Sequence, residues 1–459
     1  MAKDLGGFIS QVKESYPDEV VEVKRTVRPD QYDVTAILEH LSDESRFPMV
    51  HFKSTRNLLG EASEYSVVSN VFATRERCAT ILDFPRSQSR MPLSLEFARR
   101  ERMSIKSEVV SKSVAPVKDV VEIGEQVDVR KLPIVRHFHM DLSPVLTMAC
   151  VMRDPDEGFY DVSFIKNFYR EPRKLGTSIH SWHFERLLDK YEKRGEPAPI
   201  VTVLGHHPAF FLGSLALVEW GADDYDSIGA FLGEPLRLTP SETWGTDFMV
   251  PADAEIVIEG TIPPGVREIA DPFGEVTRHY QAQCLRPVTN VTAMTHRSNA
   301  ILQTIFSGHQ GHWNLGGIPK EGSLYNAIQK KLGYVKAVHM PHSGCGRFAC
   351  YISIEKKREG QAKVVAMEAF THTPLLQWVI VVDDDIDVFN ESDVVWAVLT
   401  SVNPKRDVNF IENAYNLFTT AMGNGKVIID ATRPTDIAFP SRIKVPDEAM
   451  ARIKLEEWL

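Results

Sequence analysis

The sequence has little of what marks a stapled or metal-knit domain. Its five cysteines, Cys78, Cys150, Cys284, Cys345 and Cys350, are scattered, odd in number and never spaced as Cys-x-x-Cys. That argues against a disulfide framework or a zinc ribbon, and for a reducing cytosol in which thiols serve as small buried apolar groups. Long apolar runs are missing too, since none reaches the roughly 18 residues of a membrane span. The opening stretch MAKDLGGFISQVKESYPDEV has no uninterrupted apolar segment and no small-residue cleavage site. No secretory signal and no membrane partner are therefore expected, and the localisation reads as cytoplasmic. Positive charge is in deficit, with 52 Lys+Arg against 62 Asp+Glu and a formal net charge of −10. This argues against a broad basic face for nucleic acid while leaving room for a local anion pocket. Internal repeats and low-complexity segments are absent.

What is present is length and ordinary composition. A chain of 459 residues, 43% apolar and 25% charged, is expected to form two or three soluble domains. Residues 1–112 read as an α/β region: YDVTAILEHLSDE has helical spacing at Val34, Ile37, Leu38 and Leu41, followed by the strand candidates FPMVHF and SVVSNVFAT and the amphipathic SLEFARRERM. Residues 113–325 change texture to short β-branched runs such as PVKDVVEIG, PIVTVLG, AEIVIEGTI and RPVTNVTAMTHR, with one clear helix, HFERLLDKYEKRG. Strands at this density predict a sheet-rich or barrel-like domain. Residues 326–459 alternate helix, strand and helix, and the buried strand in LLQWVIVVDDDIDV predicts a sheet covered on both faces.

Several stretches combine polar residues with turn geometry. In REIADPFGEVTRHY, Asp271 precedes and Glu275 follows a Pro-Phe-Gly turn, and ordinary turn chemistry is the plainer reading. In YDVSFIKNFYR, Asp161, Ser163, Lys166 and Arg170 punctuate a strand-like run, plainly read as a half-exposed strand. His180 and His183 flank a helix start in GTSIHSWHFERLL, where capping and packing are the commoner roles. Glu242 lies on a polar turn in TPSETWGTDFMVPA. Together Asp161, His180 and Glu242 make an O/N/O set suited to a hard divalent cation, if they converge. SGHQGHWNLGGIPKEG offers His309, His312 and Trp313 among glycines, suited to a planar anion or else to a plain Gly-rich loop. In GNGKVIIDAT, Lys426 follows a turn without Walker spacing.

Five segments in order, LGHHPAFFLGS, DFMVPADAEIVIEG, DPFGEV, VVDDDIDV with DVVWAVLTSVNPKRD, and GKVIIDAT, resemble the UbiD-like decarboxylases that use prenylated FMN. The resemblance implies a mixed α/β (α+β) fold: a central split β-barrel cofactor domain of flavin-reductase type, an N-terminal α/β region and a C-terminal α/β oligomerisation domain. It implies reversible, non-oxidative decarboxylation of an aromatic or α,β-unsaturated acid or an aryl-CoA thioester. A flavin prenyltransferase would supply the cofactor, and the chain would be a homodimer or higher homo-oligomer. In the family, Mn²⁺ with nearby K⁺ ties the flavin phosphate to an Asn, a His and a Glu, which fall here on Asp161, His180 (or His183) and Glu242. Lys426 matches a phosphate-contacting Lys, Ser163 lies in the matching Asn-x-Ser-x-x-Arg segment, and Ser214 and Leu215 match a stretch lining the flavin.

The family's acid network is an Arg bridging two acids. Glu275 matches the second acid, the implied proton donor. The first falls on Ala270, with Asp271 one residue later, and the Arg falls on Lys166, with Arg170 as the alternative. A rebuilt network is therefore expected, because Lys cannot make the bidentate fork of a guanidinium. His309, His312 and Trp313 are expected near an aromatic acid or aryl-CoA substrate. The alternatives are a carboxylase subunit of the same family and a catalytically lapsed flavin-binding scaffold.

Overall fold

The structure, a computed structural model, describes residues 3–270, 272–415 and 425–458. It divides into two units, one of residues 1–326 with 339–349 and one of 327–338 with 350–459. The regions expected at 1–112 and 113–325 share the first unit.

The N-terminal helices and strands form where their patterns place them. The helix Asp33–Asp43 buries Val34, Thr35 and Leu38, and the helix Met91–Arg100 buries Leu93, Ser94, Phe97 and Ala98. Val20–Val23, Met49–Phe52 and Ser66–Ser69 make three strands of a four-stranded sheet. The fourth, Ile301–Gln303, comes from far along the chain and pairs in parallel with Ser66–Val68. This pairing brings His309 beside the helix Asp33–Asp43, where it bonds Glu39.

The largest sheet has ten strands. Its hydrogen-bonded path starts at Val145–Leu146, Lys166–Glu171 and Lys174–Ser178, and crosses the long strand Cys284–His296 and then Ile256–Ile262. It ends through Ala198–Val203 and Ala149–Arg153 at Tyr160–Phe164. One residue, Ile165, takes the chain from the last strand of this path to its second, Lys166–Glu171. Val120–Ile123 and Arg267–Ala270 pair additionally with the long strand. Every pair in this sheet is antiparallel, the smaller sheets combine parallel and antiparallel pairs, and among the described residues no strand order closes on itself. A hairpin, Arg237–Ser241 and Gly245–Pro251, turns at Glu242. It is anchored to the ten-stranded sheet by the Met249 amide, which donates to Tyr160 Oη at 2.8 Å.

The Gly-rich stretch at 308–322 departs from its loop reading. From Gln310 it is helical, and the helix runs through Pro319 to Leu332. Its glycines are there for close approach: a Cβ on Gly322 would stand 1.9 Å from the Ser94 carbonyl oxygen, and one on Gly316 would stand 2.8 Å from Arg347 Cζ. Tertiary packing overrides the poor helix propensity of glycine. In the second unit a five-stranded sheet carries Trp378–Asp383 and Gly425–Asp430 as parallel neighbours, with the helices Gln361–His372 and Glu391–Ser401. Cys78, Cys150 and Cys350 are buried, and Cys284 and Cys345 are partly buried. No helix among the described residues is long and apolar enough to cross a membrane.

Candidate active site

Lys166 opens its strand one residue after Ile165, and Glu275 follows Gly274, which bridges Tyr280 and begins the tight bend at 276–279. These two backbone changes aim their side chains at each other. The Lys166 ammonium donates to Glu275 Oε1, and the side chains are only 17% and 14% exposed. Phe273 lies under the ammonium at 5.1 Å. Gln281, with its amide turned to suit its neighbours, donates to Glu275 Oε1 at 2.8 Å and accepts from Arg286 Nη2 at 2.7 Å. Arg286 also reaches the His180 ring at 3.3 Å.

Burial alone would raise the Glu275 carboxyl, but the Lys166 charge and hydrogen bond outweigh it and hold the group below its ordinary value. His180 is pushed down to about 4 by burial, then by Arg286 and Lys166, and so stays neutral near pH 7.

Of the two candidates for the family's Arg position, Lys166 is the one that meets Glu275. Arg170 lies over Gly176 of the neighbouring strand and gives its guanidinium to the Ile269 carbonyl. Asp271 lies outside the described residues. Ala270, where the family's first acid falls, is buried with Val145, Phe168 and Phe273, a site with no place for an unpaired carboxylate.

The cation-ligand set is not assembled as expected. Asp161, 5% exposed, accepts at 2.6 Å from His183 Nδ1 in the first turn of the helix Trp182–Arg194. His180 turns instead toward Ser178 Oγ at 3.0 Å and toward Arg286. Glu242 is held by Lys112 at 2.8 Å and Lys118 at 3.1 Å, while its backbone amide donates to the fully buried Glu259 at 2.9 Å. Among the described residues no group of three His, Cys, Asp or Glu stands close enough to hold a metal ion. As arranged, Asp161, His180 and Glu242 do not fit Mn²⁺. The carboxylate Asp224 accepts from the Val162 amide at 2.7 Å and is pushed well above its ordinary value by burial and by Asp161 beside it.

Ser163 lies on the same strand as Asp161, opposite Cys150 in register. Its neighbour Phe164 meets Phe211 of the helix Pro208–Gly213 with ring centroids 6.0 Å apart. That helix ends at Ser214, whose hydroxyl bonds the Phe211 carbonyl at 2.9 Å, and Leu215 packs against the main core. Lys426, in the second unit, is 5% exposed and donates to the carbonyls of Pro374, at 2.7 Å, and Leu376. Its ammonium is therefore committed to backbone rather than offered to a phosphate.

The three residues expected near the substrate take different parts. His309 lines a cavity of about 400 Å³ together with Tyr32, Glu39, His137, Phe138 and Phe306. It stacks on Phe306 at 3.6 Å and bonds Glu39 at 2.5 Å through Nε2 and the Ser307 carbonyl at 2.8 Å through Nδ1. His312 accepts from the Gly308 amide at 3.3 Å. Trp313 Nε1 donates to the Val276 carbonyl at 3.0 Å and so clamps the residue next to Glu275. His137 is buried with both ring nitrogens unpartnered and is pushed down to about 3 by burial, His309 and Lys166.

Gln281, Arg286, His137 and Glu39 carry no motif, and sequence reasoning missed them. The Thr-Arg-His-Tyr run after Glu275 gives no sign of the glutamine arm that follows it.

Comparison with known proteins agrees along most of the chain. Three domain profiles of the 3-octaprenyl-4-hydroxybenzoate carboxy-lyase, UbiD, match: the N-terminal domain over residues 15–90, the Rift-related domain over 108–310 and the C-terminal domain over 313–431. The chain is 33% identical over 313 residues to an anhydromevalonate phosphate decarboxylase of Methanothermobacter thermautotrophicus, covering 67% of this chain and 73% of that protein. It is 28% identical over 454 residues to a phenolic acid decarboxylase of Sedimentibacter hydroxybenzoicus, covering 94% and 92%. Among solved structures, an evolved dimeric form of the UbiD-class enzyme HmfF from Pelotomaculum thermopropionicum, in complex with prFMN, superposes with a TM-score of 0.88. It shares 32% identity over 100% of both chains.

Proposed function

The chain belongs to the UbiD family of carboxy-lyases, and from that premise we propose that it decarboxylates an aromatic or other α,β-unsaturated carboxylic acid, or an aryl-CoA, reversibly and without oxidation. The observation that carries the mechanism is the Lys166–Glu275 pair, enclosed by Gln281, Arg286 and His180. Related proteins of this class carry prenylated FMN, and the residues here suit such a group. Asp161 and Ser163 lie on the strand that leads through Ile165 to Lys166, and Ser214 and Leu215 follow the helix whose Phe211 meets Phe164 of that strand. Arg286 keeps a buried Nε with no partner beside Glu275. A buried donor of this kind is costly unless an acceptor arrives. We read the ten-stranded sheet as the split-barrel cofactor domain, residues 113–325 as its span, and residues 326–459 as the oligomerisation domain of a homodimer or higher assembly. A flavin prenyltransferase is the proposed supplier.

Prenylated FMN, when bound, supplies the electron sink for the pair released as the C–C bond to CO₂ breaks. The protein's part is to hold the acid in place, exclude water and return a proton to the carbon. Glu275 sits where that proton is delivered. Its ion pair with Lys166 keeps it ionised at rest, so the proton must reach it as it is used. Lys166, hydrogen-bonded to the same carboxylate, sets how readily Glu275 takes that proton. Gln281 fixes the carboxylate's orientation, and Trp313 fixes the loop. The cavity beside His309 and His137 offers flat aromatic walls and two imidazoles for a planar acid. Mn²⁺ and K⁺ enter none of these steps, because their donor set is not gathered.

The test is to co-express the chain with a flavin prenyltransferase, feed Mn²⁺, and record the visible spectrum and the mass of the released cofactor. H/D exchange is then screened across acids. A prenylated flavin mass with exchange on aromatic acids is expected. Rapid exchange with cinnamic-type acids and none with aromatic or heteroaromatic acids would sink the aromatic assignment.

A further inference from the structure

Two cationic side chains meet on one glycine close to the reaction site, and neither has a carboxylate within ion-pair distance among the described residues. Lys320, on the helix Gln310–Leu332, donates to the Gly316 carbonyl at 3.1 Å. Arg347, in the loop before the strand Ala349–Ile354, lies directly over Gly316, where a Cβ would meet its Cζ at 2.8 Å and its Nη1 at 2.9 Å. That Nη1 is sealed from solvent and has no hydrogen-bond partner. The acids that act on them electrostatically are engaged elsewhere: Glu101 accepts from the Leu217 amide at 2.7 Å, and Glu275 is paired with Lys166.

Arg347 and Lys320, each partly buried, repel one another across this glycine. Burial and Arg347 bring the Lys320 amine down to about 7, and burial brings Arg347 down to about 10. Two desolvated like charges destabilise a fold unless an anion takes the space between them. Gly346, next to Arg347, packs on the Trp313 backbone, and Trp313 bonds the residue after Glu275, so an anion held here lies beside the candidate active site.

We propose that Arg347 and Lys320, converging on Gly316, form an oxyanion subsite for a second acidic group of the substrate, a carboxylate or a phosphate, distinct from the carboxylate that leaves. The distinction follows from charge. The departing carboxylate becomes neutral CO₂, so a cation bound to it would favour the ground state over the transition state and slow the reaction. A cation on a group that keeps its charge binds both states alike and sets specificity. This deepens the reading of the chain as a decarboxylase and rests on it for the identity of the bound molecule, though not for the existence of the anion site.

The test uses the full chain, with inorganic phosphate and isophthalate as probes against benzoate, and follows the thermal midpoint as a function of probe concentration. Wild type should be stabilised by the dianionic probe well before benzoate acts. Arg347→Gln should weaken that response about tenfold or more, Arg347→Lys should restore part of it, and Gly316→Ala should weaken it by displacing the guanidinium while leaving both charges in place. A response to isophthalate alone assigns a carboxylate, and a response to phosphate as well assigns a phosphate. Equal responses in wild type and Arg347→Gln would overturn the subsite, as would preference for benzoate. If the variants differ as expected yet no acid undergoes H/D exchange on the reconstituted protein, the subsite stands and the decarboxylase reading fails.

Discussion

Asp161 and His183 share a 2.6 Å hydrogen bond that ties the last strand of the ten-stranded path to the first turn of the following helix. The family resemblance puts His180, with His183 as the alternative, in a ligand set with Asp161, but the strand Lys174–Ser178 leads His180 to Arg286 instead. His183 is therefore expected to matter for cofactor retention and His180 for the pH behaviour of the acid. Asp161→Ala and His183→Ala should each lose most of the bound flavin after reconstitution, read as the visible absorbance per chain, while His180→Ala should keep it. Equal retention in all three would remove the Asp161–His183 pair from the cofactor site.

Lys166 sets the protonation of Glu275. The folded value of Glu275 is depressed, so its contribution to stability is present above its unfolded value of about 4.3 and is lost as pH falls through the folded value. Activity that needs the protonated acid declines as pH rises. In Lys166→Met burial is unopposed, the Glu275 value rises, and the alkaline limb of kcat should move to higher pH with a lower maximum. An alkaline limb that stays where it is, or moves down, would show that Glu275 is not the titrating acid.

A separate buried network braces the helix that carries Lys320. Glu321, fully buried, accepts from Arg75 at 2.9 Å, Ser94 Oγ at 2.5 Å, His339 Nδ1 at 2.8 Å and the Met340 amide at 3.0 Å. Burial would raise this carboxyl, yet Arg75, His339 and Ser94 together hold it far below its ordinary range. Glu321→Ala removes the buried carboxylate that Arg75, Ser94 and His339 share and should cost about 3–5 kcal/mol, measured by denaturant unfolding. The wild-type contribution is full above the unfolded carboxyl value and fades as pH falls toward the depressed folded one, so the gap between the two proteins should narrow in acid. A loss under about 1 kcal/mol at pH 7 would mean the network is not closed in solution.

Much of the architecture was legible. The periodicity of Val34, Ile37, Leu38 and Leu41 names its helix, and the β-branched runs name the strands of the large sheet. The strand Ile301–Gln303 was not legible as part of the N-terminal sheet, because pairing across more than two hundred residues leaves no local trace. Nor was the helical start of GHWNLGGIPKEG, whose glycines answer to the backbone of Ser94 and the head of Arg347. In the candidate site, Glu275 and Lys166 were singled out only by their places in segments that resemble the family, and the structure pairs them. Arg347, inside HSGCGRF, carries no pattern at all, since a single arginine between glycine and phenylalanine is indistinguishable from a surface one until the fold encloses it. Lys426 shows the converse: its segment matches the family, but its ammonium is bound to two carbonyls of its own unit.

The measurement that bears most directly on the whole account is H/D exchange and turnover by Glu275→Gln on the reconstituted enzyme, with the flavin mass and spectrum recorded on the same sample. The variant is expected to keep its prenylated flavin and lose roughly 10²- to 10⁴-fold in turnover, the range that a positioned proton donor contributes. Wild-type exchange by a flavin-loaded Glu275→Gln protein would contradict the assignment of Glu275 as the proton donor.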